Sequence, residues 1–202
     1  MENYLKAGAT ISPCGNYRYR LWREWRLGKS TQWDMWTEED GSPCLDGEGK
    51  QLGEPLTCLF VMLNPSTATG EEDDPTIGRC VAYAKAWGYD RLEVVNLFAW
   101  RATEPRDLLA VSSEADPVGF ANQDAIQEAV YRAGIVVCAW GVTGSYLGQD
   151  ETALGWITQA VELMAEEGRK IEVCALKRTK DGFPSHPLYL SAHLKPFAYN
   201  GR

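Results

Sequence analysis

The hydrophobic pattern of the chain is one of short apolar runs separated by polar turns. The run 58–63, CLFVML, is too short for a buried helix and is bounded by turn formers, which predicts a fully buried strand. It stops at Asn64, Pro65, Ser66 and Thr67, where proline and small polar side chains replace the apolar series. Runs 92–98 (LEVVNLF), 134–140 (GIVVCAW) and 171–176 (IEVCAL) predict three further strands. Helical spacing fills the gaps. Asp74, Pro75 and Thr76 form a start signal, Cys80, Ala82, Tyr83, Ala84 and Trp87 an apolar face, and Gly88 a stop. A second helix is expected over 124–131 and a third over 152–167, the latter with Leu154, Ile157, Ala160, Val161 and Met164 inward. Arg101 to Pro105 breaks the pattern between them. Strand–helix alternation over roughly 130 residues predicts an α/β fold, a three-layer α/β/α sandwich with a mostly parallel central sheet.

The N-terminal segment reads differently. Tyr17, Tyr19 and Leu21 alternate with Arg18, Arg20 and Trp22, followed by Arg23, Glu24, Trp25 and Arg26. This predicts an aromatic-basic edge hairpin, paired with Trp33 to Trp36 across the Gly28-Lys29-Ser30 turn, with its arginines in solvent. Arginines interleaved with aromatics also suit a stacking surface for nucleic acid. Residues 38–54 are acidic and glycine-rich and read as an exposed loop. The expected organisation is one domain, with residues 1–55 as hairpin and loop and 56–202 as the α/β core.

Composition narrows the function. At 202 residues and 45% hydrophobic, the chain can bury a sizeable core. No apolar run reaches 18 residues and the first residues lack a signal core, so a soluble, cytoplasmic monomer is expected, away from membranes. Six cysteines stand far apart without a CxxC, which favours reduced core thiols and no metal or other cofactor. The two histidines, His186 and His193, are too few for most zinc sites. A net charge of −8 argues against a generic nucleic-acid coat but leaves room for a local basic face. No GxGxxG, GxxxxGK[ST] or GxSxG is present, which removes the main support for dinucleotide, P-loop and serine-hydrolase chemistry.

In open α/β sheets ligands bind beyond the carboxyl ends of the strands. Topology sends three polar groups there: Asn64 after the first core strand, Asn96 near the end of the second, and His186 after the fourth. One asparagine can orient a water, the other can read a planar amide, and a histidine can donate to an oxygen as charge develops on it.

These blocks resemble, in order and placement, the uracil-DNA glycosylase superfamily. MLNPST is similar to its asparagine-type first motif, VVNLFAWRATEPRDL to its second-strand stretch, VVCAWG to its third strand and PSHPLYLS to its histidine motif. The chain also resembles a bacterial and phage family with LNPSTA, VVNLFA and HPLYL blocks. The resemblance covers 57–195 and implies a monofunctional DNA N-glycosylase acting on a flipped base in duplex or single-stranded DNA. Asn64 would then hold the hydrolytic water or support the cationic sugar. Asn96, with Pro65 and Ser66, would bind the base, and His186 would stabilise its departing O2. Lys177, Arg178, Lys180 and Arg101 would supply the DNA-binding face. Several departures stand out. Position 64 is not aspartate, Leu188 replaces a small phosphate-pinching serine, and the four-cysteine cluster of the thermophilic type is missing. No phenylalanine follows the first motif, leaving Tyr83 or Trp87 as stacking candidates. The small residues Ser66, Thr67 and Ala68 would admit a 5-substituted pyrimidine as well as uracil. The alternative implied by the same resemblance is a non-hydrolytic relative that binds a nucleoside or nucleotide.

Overall fold

The computed structural model describes residues 4–25, 55–66, 68–103, 105–111 and 115–202. Within them the fold is α/β. The apolar runs become the strands β3 (Thr57–Met62), β4 (Arg91–Asn96), β5 (Ala133–Cys138) and β6 (Glu172–Ala175), which lie side by side and parallel in the order β4-β3-β5-β6. All six residues of β3 and all six of β4 are buried, which is why both read as near-continuous apolar runs.

The sheet is mixed rather than mostly parallel. β1 (Lys6–Ile11) pairs antiparallel with β2 (Arg18–Glu24), β2 pairs antiparallel with β4, and the short β7 (Phe197–Ala198) pairs antiparallel with β6. Seven strands result, ordered β1-β2-β4-β3-β5-β6-β7. The strand β2 is therefore interior, flanked by β1 and β4, and not the edge expected from its alternation. The expected partner around Trp33 and Trp36, its Gly28-Lys29-Ser30 turn and the acidic stretch 38–54 all lie outside the described residues. The arginines also differ from expectation: Arg18 is 2% exposed and Arg23 fully buried. A register shift at Thr10 and Ile11 accompanies this change, breaking the simple two-residue phase of β2.

Helices cover the sheet through two apolar clusters. Helix α1 (Pro75–Ala86) starts where the sequence signals it: Asp74 Oδ1 accepts the Ile77 N–H at 2.8 Å, with Pro75 at the first helical position. It buries Ile77, Cys80, Val81, Tyr83 and Ala84 against Cys58, Phe60 and Met62 of β3 and Leu92 and Val94 of β4. Ala82, expected inward, is exposed. The alternate residues Leu59, Val61, Val95 and Val136 pack instead with helices α3 (Asn122–Arg132) and α4 (Gln149–Glu166). The break after Arg101 contains a helix that the sequence pattern passed over, α2 (Pro105–Val111). No helix among the described residues is long and apolar enough to cross a membrane.

Candidate functional site

The polar residues after β3 and β4 are placed by backbone pairing across the sheet's carboxyl edge. Beyond the last paired residues, Leu97 N donates to Met62 O at 2.9 Å, Phe98 N to Leu63 O at 3.0 Å and Ala102 N to Pro65 O at 3.0 Å. The two segments thus leave the sheet together, carrying Asn64 and Asn96 with them. Asn64 is half-buried; its Nδ2 donates to Ala102 O at 2.7 Å and to Pro65 O at 3.1 Å. Its amide nitrogen therefore fastens the two loops, and its Oδ1 accepts no hydrogen bond from the described residues. Pro65 is buried, and Ser66 is half-buried at the rim of a 400 Å³ pocket shared with Trp100, Arg101, Ala102, Thr103 and Asp107. Ala68, expected to line the base site, is buried in the α1-side cluster, and Thr67 lies outside the described residues.

Asn96 ends β4, in register with Met62, and is 1% exposed. Its alternation with Leu92 and Val94 puts its side chain on the α1 side of the sheet. Its backbone carbonyl accepts from Asn122 Nδ2 at 2.9 Å, but its own Nδ2 is buried and finds no acceptor. An unpaired buried N–H of this kind costs about 1–3 kcal/mol.

Beyond β6 the chain folds over the same edge. Gly141 N donates to Pro184 O at 2.8 Å, and Ser185 N to Lys177 O at 2.8 Å. This brings round His186, an exposed residue whose Nδ1 accepts the Leu188 N–H at 3.4 Å, which places the proton of the neutral ring on Nε2. Desolvation by the surrounding protein lowers the imidazole pKa, while the Asp74 carboxylate at the start of α1 pulls it the other way. No direct hydrogen bond joins Asn64, Asn96 and His186. They share an edge, with Asp74 as the link between His186 and the loop after β3.

One expectation for the surroundings needs correction. Tyr83 and Trp87 are not free to stack on a base: Tyr83 is buried with its hydroxyl on Ser191 O at 2.6 Å, and Trp87 stacks on Phe60 and Tyr83. Trp87 caps the far end of α1, about 20 Å along the helix from Asp74. Of the four expected DNA-contacting cations, Lys177, Arg178 and Lys180 are exposed. Arg178 is tied to Gly182 O and Gly201 O and lies over the Tyr199 ring, and Arg101 donates to Gly15 O at 3.2 Å.

The residues that sequence reasoning missed are those that hold the site. Arg23 Nε donates to Asp73 Oδ1 at 2.7 Å, and its remaining donors reach the carbonyls of Thr69, Gly70 and Glu72. Arg18 Nη1 donates to Ala68 O at 2.7 Å. Asn122 and Gln149, both buried, donate to the Leu97 carbonyl just past β4. Among the described residues no group of three or more His, Cys, Asp or Glu could hold a metal ion.

A family model described as "Protein of unknown function (DUF1643)" matches residues 44–188, from ahead of β3 to just past His186. No curated protein and no solved structure matches the chain. The matched stretch holds Asn64, Asn96 and His186 and spans well over half of the 202 residues, so the chain belongs to the DUF1643 family.

Proposed function

We propose that this protein is a DNA N-glycosylase that hydrolyses the bond between sugar and base in a flipped pyrimidine, most suitably one substituted at its 5-position. The observation that carries the reading is the buried, unpartnered Nδ2 of Asn96 at the carboxyl edge of the sheet. A pyrimidine presents a carbonyl acceptor beside a ring nitrogen, and an asparagine amide can read both at once. His186, neutral at pH 7 and protonated on Nε2, would donate to the base O2 as negative charge collects there during departure. Asn64 Oδ1, unengaged while Nδ2 fixes the loop, would accept from the attacking water. On this reading a 5-substituent would extend past Ser66, at the rim of the 400 Å³ pocket. On the same reading α1 forms one outer layer of a three-layer sandwich and α3 with α4 the other. The buried free thiols suit a reducing, cytoplasmic setting.

A second reading, a non-hydrolytic nucleotide-binding protein, is favoured by the arginines. Arg101 and Arg178 direct donors at the protein's own carbonyls, leaving Lys177 and Lys180 to meet a DNA backbone on a chain of net charge −8.

The test supplies matched DNAs containing uracil, thymine, 5-hydroxymethylcytosine and its glucosylated form, and measures abasic-site formation. Faster release of a 5-substituted base is expected. Preference for uracil over every substituted base removes the open-pocket argument, and absence of release from all four removes the glycosylase. Asn64→Ala should fold and lower the single-turnover rate by roughly two to four orders of magnitude. An unchanged rate takes Asn64 out of the mechanism.

A further inference from the structure

The described residues contain three buried arginines, and two have a carboxylate partner. Arg23 pairs with Asp73, and Arg91 lies 3.6 Å from Glu93, a buried carboxylate that also pairs with Arg20 and Arg132. Arg18 has none. It is 2% exposed, Nη1 donates to the Ala68 carbonyl, Nε is buried without an acceptor, and no carboxylate of the described residues lies within ion-pair distance. A buried cation left in this state is costly, and native structures compensate such charges with a counter-ion or a ligand.

The surroundings are short of acceptors as well. Arg18 N donates to Ala99 O, and Ala68 packs on the α1 side of the sheet, so Arg18 stands where the loop after β3 crosses the end of β4. Other orphaned donors at this edge include Asn96 Nδ2 and Arg101 Nε, both buried. Asp74 and Arg101 lie within the electrostatic reach of Arg18 without touching it. Burial pushes the Arg18 pKa down to about 10, which still leaves it charged at pH 7. The contrast with Arg23 is informative. Arg23 serves the same loop with every nitrogen engaged, so holding the loop does not by itself require unused donors.

We infer that Arg18 is the centre of an anion-binding site at the carboxyl edge of the sheet, and that the anion is a phosphate group of the nucleotide whose base Asn96 reads. The inference rests on the proposed reading of Asn96, but it needs no hydrolysis. Guanidinium groups bind phosphate oxygens with paired, charge-assisted hydrogen bonds, and Nε with Nη2 forms the edge that remains open. The phosphate could belong to a free mononucleotide or to the backbone beside a flipped base. The chemistry at Arg18 is common to both.

The test measures binding to the full chain of inorganic phosphate, 2′-deoxyuridine, 2′-deoxyuridine 5′-monophosphate and a short uracil-containing single strand. The parent protein should bind at least one phosphate-bearing nucleotide roughly 10- to 100-fold more tightly than the nucleoside, the range for a charge-assisted contact. Preference for the monoester identifies a free nucleotide, and preference for the strand identifies DNA; either supports the site. Arg18→Met should bring nucleotide and nucleoside together, with Arg18→Lys retaining part of the difference, a pattern that loss of a loop staple would not produce. Equal binding of nucleoside and both nucleotides by the parent overturns the inference, and so does failure of every phosphate-bearing probe to bind. These parent-protein measurements stand even if Arg18→Met does not fold. Base release without phosphate preference would leave the glycosylase and remove the Arg18 site, whereas phosphate preference without base release would do the reverse.

Discussion

Asn96 and Asn122 divide the polar chemistry at the end of β4. Asn122, fully buried, uses its Nδ2 to hold the carbonyls of Asn96 and Leu97, whereas Asn96 leaves its own Nδ2 unused. Truncating them should therefore have opposite effects. Asn122→Ala removes the Nδ2 bond to Asn96 O and leaves Leu97 O to Gln149 alone, and is expected to cost about 1–3 kcal/mol by denaturant unfolding. Asn96→Leu replaces an unsatisfied amide with an apolar group of similar size, and stability should be unchanged or slightly higher while ligand binding is lost. A large stability loss in Asn96→Leu would mean that the amide serves the fold. His186 makes a different prediction, in pH. Its folded-state pKa lies below the ordinary imidazole value of about 6.5, so the unfolded chain binds the proton more readily. The stability tied to the neutral ring is present above that value and is lost as pH falls below it toward the folded pKa. Unfolding midpoints from pH 7 to pH 5 should decline less in His186→Gln than in the parent.

At the scale of elements, β2 and the loop after β3 behave as one unit. Arg23 connects them through Asp73 and the carbonyls of Thr69, Gly70 and Glu72. Arg23→Met should cost about 1.5–3 kcal/mol, as expected for losing hydrogen bonds from a buried charged donor whose carboxylate partner stays in solvent. Amide exchange over 69–73 should quicken more than exchange in α4, and uniform loss of protection would argue against a local clamp. This unit is where the sequence was least legible. β3, β4, β5 and β6 could be read because strands buried on both faces leave unbroken apolar runs, and α1 because Asp74 and Pro75 mark its start. β1, KAGATI, carries no comparable alternation, and without it β2 looked like an edge with arginines in solvent. The chain also gives no local hint that Arg18 and Arg23 turn toward carbonyls some fifty residues away. Asn64, Asn96 and His186 were legible as strand-end residues, since topology alone sends them to one edge. Asn122 was not, since an asparagine before a helix usually signals only a start.

For the whole molecule, the buried clusters should govern thiol chemistry. Cys58, Cys80, Cys138 and Cys174 are buried, and desolvation raises each thiol pKa; Cys14 is exposed, and its contact with Ser12 lowers its own. Brief alkylation of the native protein, read by peptide mass spectrometry, should modify Cys14 and spare those four until denaturant is added. Early labelling at Cys80 or Cys138 would show the sheet opening far more readily than its packing implies.

The place of β2 in the sheet also has a consequence in time. Arg20 and its partner Glu93 are 73 residues apart, and β2 pairs only with β1 and β4. At synthesis rates of about 5–20 residues per second, β1 and β2 wait roughly 4–15 s before β4 is made. For most of that interval Arg18 and Arg23 lack their loop, throughout it they lack β4, and a two-stranded hairpin alone is marginally stable in water. The residues that anchor the candidate site are thus made well before the strand that seats them.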